Sequence, residues 1–159
     1  MSDNSEQTTA SSVLDFMKNH IKRYIETDGE EGHLMNGAPC LVLTTVGKNS
    51  GQPRQVAVIY GTHHSLSGNS SESASKTSYV IVASKGGADQ SPAWFHNLMA
   101  DPNPMIQVKA EKFHVKPRIA TGNERTELWN KMAATFPDYN QYQKNTAREI
   151  PVIVLDPIG

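Results

Sequence analysis

The chain of 159 residues has little that would mark a specialised class. It holds one cysteine, Cys40, and 15 Lys+Arg against 16 Asp+Glu leave a formal net charge of −1. A single cysteine excludes an internal disulfide framework and a cysteine-rich metal site, so Cys40, set inside the apolar run Ala38–Val46, reads as a small core residue. A charge near zero provides no long-range field to hold a polyanion, which argues against a general nucleic-acid binder. Long apolar runs are also missing. The longest, Val56–Tyr60, Tyr79–Ala83 and Pro151–Leu155, are of strand length, well short of the roughly 20 residues that span a bilayer. With no basic-then-apolar stretch near Met1, the expectation is a soluble, cytoplasmic protein. There is no GxSxG elbow, no GxxxxGK[ST] loop, no defensible Cys–His pairing and no histidine pair at helical spacing with a carboxylate, so neither those chemistries nor a metal site is expected.

What is present reads as one domain over residues 13–159, preceded by a disordered polar tail over 1–12. Val13, Leu14, Met17, Ile21, Tyr24 and Ile25 recur at steps of three and four and predict an amphipathic helix over 13–26. That helix either packs on the core, covers a site as a lid, or touches a membrane surface. Six runs rich in Val, Ile and Thr then predict strands at Cys40–Val46, Gln55–Tyr60, Tyr79–Ser84, Met105–Val108, Lys112–Ala120 and Ile150–Leu155. Most are joined by turns rather than crossover helices, which favours an α+β fold built on an antiparallel barrel of six to seven strands. A serine-rich stretch over 62–77 reads as a mobile loop. Two further helices are expected. One has Ser91-Pro92 at its start and Asp101-Pro102 at its end. The other opens at Thr121 with Glu124 at capping-box spacing and carries Leu128, Trp129, Met132, Ala133 and Phe136 as its apolar stripe, up to Pro137.

Three constellations can carry chemistry. Gly47-Lys48-Asn49-Ser50-Gly51 through Arg54 puts two glycines, two cations and a hydroxyl in one turn between strands, suited to an anion; an ordinary solvated hairpin has the same composition. Ser84-Lys85-Gly86-Gly87 lies where a buried strand ends and just before a helix N-terminus, so a flat or anionic ligand can approach the backbone closely. Trp94 reads either as the floor of such a site or as a core anchor. Tyr139 and Tyr142 stand one helical turn apart in a polar segment, and a phenol is protonated at neutral pH and able to donate.

In this order, Leu43-Thr44-Thr45 to Arg54, Ala83 to Ala88 with Pro92 to Leu98, Phe136 to Tyr142 and Arg148-Glu149-Ile150-Pro151-Val152 resemble the deazaflavin-dependent nitroreductase family, split β-barrel oxidoreductases that use coenzyme F-420. The resemblance runs from about Gly37 to Pro157. It implies that Lys48, Asn49, Ser50 and Arg54 meet the phosphate and acidic tail of the coenzyme, and that Ala57, Val58, Ser84, Lys85, Gly86, Trp94 and Asn97 line its ring. Phe136, Tyr139 and Tyr142 would shape the substrate pocket, with Tyr139 and Ser84 as candidate proton donors. It further implies hydride transfer to an apolar or conjugated small molecule such as a quinone, enone or nitroaromatic, and it leaves a homodimer open. Two other readings fit the same residues: a relative that uses FMN or FAD, and a cofactor-free small-molecule binder or isomerase that keeps the pocket.

Overall fold

The computed structural model describes residues 16–35, 37–65 and 76–158. A helix α1 over 16–26 leads into a two-residue strand β1 (Leu34–Met35), then β2 (Ala38–Val46), β3 (Pro53–Ile59), β4 (Gly61–Ser65) and β5 (Lys76–Val82). A single 3-10 turn, Lys85–Gly87, connects β5 to helix α2 (Ala93–Ala100). Strands β6 (Met105–Val108) and β7 (Glu111–Ile119), helices α3 (Gly122–Thr135) and α4 (Asp138–Lys144), and strand β8 (Val152–Pro157) complete the chain.

The strands form one sheet in the order β1-β2-β6-β7-β8-β5-β4, with β3 joined to β2. Every pairing is antiparallel. The sheet curls into a split barrel of seven longer strands plus the short β1, as the sequence leads one to expect.

Strand periodicity sorts the apolar side chains into three layers, because successive residues of a strand face opposite ways. Leu41, Leu43, Ile81, Ile153 and Leu155 meet Val58, Ile106 and Val115 inside the barrel, where Leu98 of α2 plugs one end. Their neighbours Val80, Val82, Val152 and Val154 face outward and are covered by Leu128 and Met132 of α3 and Tyr139 of α4. On β2 the outward residues Cys40 and Val42 meet Tyr24 of α1. Burial on both faces is why these strands read as unbroken apolar runs rather than as alternating ones.

Tyr24 decides between the readings of the first helix. Its ring is fully buried, and its hydroxyl donates to the carbonyls of Cys40 and Gln107 and accepts from the Lys109 amide at 2.7 Å. Burial, the largest cause, pushes this phenol up to about 12. Helix α1 is therefore packed on the barrel through a hydrogen-bonded core tyrosine. Residues 13–15 of that helix and the polar tail over 1–12 lie outside the described residues.

Three local expectations change. The stretch over 62–77 is not all loop, since β4 takes Gly61–Ser65 and β5 begins at Lys76; residues 66–75 lie outside the described residues. Strand β4 pairs with β5 through main-chain bonds from Gly61 to Ser65, so polar His63 and His64 did not announce a strand. The capping box does not form at α3: the Thr121 side chain makes no cap bond, and Glu124 is turned to Arg118, which donates to both its carboxylate oxygens at 2.6 and 3.0 Å. Finally, Tyr139 is not in a polar setting: it is buried, with 4% of its surface exposed.

Candidate functional site

Strand β3 runs along two adjoining cavities. Arg54, Gln55 and Val56 line the first, of about 460 Å³, and Ala57, Val58 and Ile59 line the second, of about 210 Å³. Trp94, on the first turn of α2, is a wall of both, and it also packs against the barrel interior. The two sequence readings of Trp94 thus describe different faces of one ring.

The first cavity collects Lys48, Asn49, Ser50 and Arg54 from the β2–β3 turn with Asn97 from α2. The turn is closed by main-chain bonds from Gly47 to the Gln52 carbonyl at 2.8 Å and from Gly51 to the Gly47 carbonyl at 2.9 Å. Ser50 Oγ accepts from the Gln52 amide and from Arg54 Nη2. Helix α2 holds the turn from below: Asn97 Oδ1 accepts the Lys48 amide, and Asp101 Oδ2 the Val46 amide, each at 2.9 Å. Asn97 and Asp101 are four apart and so share a helix face. Lys48 and Arg54 are exposed and have no carboxylate within ion-pair distance among the described residues. Two unpaired cations over a backbone turn, with buried Thr45 behind them, suit an anion.

The second cavity is apolar with hydroxyls. Ser84 and Lys85 come from the connection that follows β5, and Phe136, Tyr139 and Tyr142 from the α3–α4 corner. Tyr139 packs edge-on to Phe136 at 5.0 Å between ring centroids and to Tyr142 at 6.2 Å, which fixes its ring. Burial, and then the neighbouring Tyr142, push its phenol above the ordinary tyrosine range. Among the described residues no protein group hydrogen-bonds the Tyr139 hydroxyl or the Ser84 hydroxyl. A protonated donor without a protein acceptor, on a cavity wall, is available to a bound molecule.

Gly87 is not among the residues that line these two cavities. Gly87 has φ +85, and a Cβ there would sit 2.6 Å from the Tyr142 carbonyl oxygen and 2.9 Å from its Cα. The missing side chain lets α4 close against the connection. Lys85, at φ +47, reaches the cavity together with Ser84.

Some lining residues escaped the sequence reading. Met35 stands in the two-residue β1, too short for any periodicity, yet it lines the second cavity and touches both the α1 layer and the α3–α4 layer. Gln55 and Val56 carried the signal of position, lying between Arg54 and Ala57. Cys40 and His20 do come close, at 3.7 Å, but the thiol donates to the Gly32 carbonyl and burial pushes it up to about 11, so it is no nucleophile at neutral pH. Among the described residues no cluster of three or more His, Cys, Asp or Glu could hold a metal ion, and no helix is long and apolar enough to cross a membrane.

The chain is similar to known proteins. The chain is 35% identical over 146 residues to an F420H(2)-dependent quinone reductase of Mycobacterium tuberculosis, covering 89% of this chain and 90% of that one. A solved F420-H2 dependent reductase superposes with a TM-score of 0.58 at 30% identity, over 74% of this chain and 94% of that one. A structure described as a domain-swapped dimer superposes with a TM-score of 0.61 at 29% identity, over 90% and 98%. The sequence profile of the F420H(2)-dependent quinone reductases matches residues 16–157, which takes in both cavities and every strand, and the chain belongs to that family of oxidoreductases dependent on coenzyme F-420.

Proposed function

We propose that this protein reduces quinones with reduced coenzyme F-420, the acidic tail at Lys48 and Arg54, the ring against Ala57, Val58, Lys85 and Trp94, and the quinone under Tyr139. The cavities suit such a coenzyme: Lys48 and Arg54 stand at one end, Phe136, Tyr139 and Tyr142 at the other, and β3 and Trp94 are common to both. When bound, the reduced coenzyme supplies a hydride. The chain's own work is placement, exclusion of water and a proton.

The observation that carries this reading is the Tyr139 hydroxyl, on the wall of the second cavity and without a protein hydrogen-bond partner among the described residues. A quinone that takes up a hydride becomes a hydroquinone only when its oxygen also gains a proton, and Tyr139 is placed to give one, with Ser84 the second candidate in the same cavity. The ring edges of Phe136 and Tyr142 shape the substrate space, which suits flat conjugated molecules; enones and nitroaromatics belong to the same class. The dimeric state of one similar structure supports a homodimer, which light scattering tests.

The deciding experiment follows loss of reduced-coenzyme absorbance with a soluble quinone in wild type, Tyr139→Phe and Ser84→Ala. Wild-type turnover with loss of roughly 100-fold in kcat in Tyr139→Phe supports the assignment, in line with one general acid. Undiminished turnover in both variants overturns the proton-donor roles.

A further inference from the structure

Arg148 follows α4 and precedes β8. Its half-buried guanidinium donates from Nε to the Ala88 carbonyl at 2.7 Å and from Nη1 to Ser91 Oγ at 3.3 Å. Its Nη2 donates to the Ser84 carbonyl at 3.0 Å and the Ala83 carbonyl at 3.3 Å. These acceptors span residues 83–91, the whole connection from β5 to α2. Among the described residues Arg148 has no carboxylate partner; its neighbour Glu149 pairs with Arg125 at 2.9 Å. A cation spent on main-chain and hydroxyl acceptors of one loop is doing something other than pairing charge.

Two more ties act on the same loop. Thr146 Oγ1 donates to Asp89 Oδ1 at 3.0 Å and accepts the Arg148 amide at 3.3 Å. Gly87 lies directly on the Tyr142 backbone. Between these ties Lys85 holds a left-handed φ of +47, a conformation that a long side chain keeps only when its surroundings over-determine it. The loop is thus shaped by α4 and the residues just after it. That segment also carries Tyr139 and Tyr142, which face Ser84 and Lys85 across the second cavity.

We propose that Arg148 is a positioning residue that ties the 83–91 connection to α4 and so sets Ser84 and Lys85 against Tyr139 and Tyr142. The ring end of the coenzyme site and the substrate end are then fixed by one clasp, while the turn that carries Lys48 and Arg54 has its own ties, to Asn97 and Asp101. Only a planar fork reaches acceptors on several sides at once, so lysine does not replace arginine here. The inference rests on the quinone reductase reading for its consequence, and on hydrogen-bond geometry alone for the clasp.

The test therefore has two arms. In the coenzyme-free protein, amide hydrogen exchange over 84–91 is expected to be about tenfold faster or more in Arg148→Lys, with the β2 and β8 amides unchanged, because local opening is read residue by residue. In titrations with coenzyme F-420, Arg148→Lys and Lys85→Ala are expected to be non-additive. Arg148→Lys and Arg54→Ala should instead multiply to within about twofold, as independent sites do. A general loss of stability would move neither pattern selectively. Unchanged exchange over 84–91 overturns the clasp, and so does a Lys85 cycle that multiplies as the Arg54 cycle does. Should wild type bind no coenzyme F-420, the functional reading falls and the exchange arm alone decides the clasp. If Arg148→Lys does not fold, Thr146→Val removes one tie only; faster exchange confined to 84–91 supports the clasp and no change overturns it.

Discussion

The β2–β3 turn and the β5–α2 connection each combine glycines with a lysine that lines a cavity, but they are held in opposite senses. The turn is held by acceptors, Asn97 and Asp101 of α2, which take its amides. The connection is held by a donor, Arg148, which takes its carbonyls. In the turn Gly51 has φ +71 with nothing within 4 Å of a Cβ, whereas Gly87 in the connection has both a positive φ and the Tyr142 backbone against it. A glycine in a motif of the same composition is therefore open to solvent at Gly51, tight against the Ser50 hydroxyl at Gly47, and packed on a neighbouring helix backbone at Gly87.

Substitutions that separate the two regions should differ in size. Gly87→Ala is expected to have the largest effect, about 3 kcal/mol of stability, since left-handed strain of about 1 kcal/mol adds to overpacking of about 1–3 kcal/mol. A melting curve checks it, and a loss below about 1 kcal/mol would mean that the joint is not packed as described. Tyr24→Phe comes next. Removing a buried hydroxyl with three backbone contacts should cost about 1–3 kcal/mol, again by melting, with coenzyme affinity unchanged because Tyr24 lies on neither cavity. In the turn, Arg54→Ala is expected to weaken binding of coenzyme F-420 about tenfold while leaving the melting temperature in place, as loss of one charge-assisted contact implies. Gly51→Ala, with open space around it, should cost only about 1 kcal/mol of strain.

The smallest effect lies away from both loops. Hydrogen bonds from Arg118 hold the Glu124 carboxyl below its ordinary value. The folded pKa is lower than the unfolded one, so the pair contributes stability above the unfolded value near 4.5 that is lost as pH falls through the folded value. Glu124→Gln should flatten this acid limb of a stability-against-pH profile slightly, since the pair is partly exposed and screened. Tyrosine burial acts at the other extreme. Tyr139 and Tyr24 both have raised pKa values, so stability should decline above about pH 10, where unfolded tyrosines ionise first.

Much of this was legible in the sequence for a physical reason. Strands buried on both faces leave apolar runs that need no partner information, and all six expected runs are strands, with Met105–Val108 placed to the residue. Lys48, Arg54, Trp94 and the Tyr139–Tyr142 pair stand on the two cavities because cations, glycine turns and aromatic spacing are local signals. What stayed hidden is set by tertiary contact. Strand β4 has polar residues and exists through its pairing with β5. Met35 reaches the cavity from a two-residue strand, Gly87 packs on the α4 backbone, and Arg148 acts on atoms about 60 residues away in the chain. Glu124 left its expected cap for Arg118, a stronger partner.

The most direct test of coenzyme use is a titration of the purified protein with coenzyme F-420, with FMN and FAD run beside it, read by fluorescence quenching in wild type, Arg54→Ala and Lys85→Ala. Saturable binding of coenzyme F-420 alone, weakened in both variants, is the expected result and places its two ends at the two loops. Equal binding by all three proteins, or preference for FMN or FAD, would contradict it.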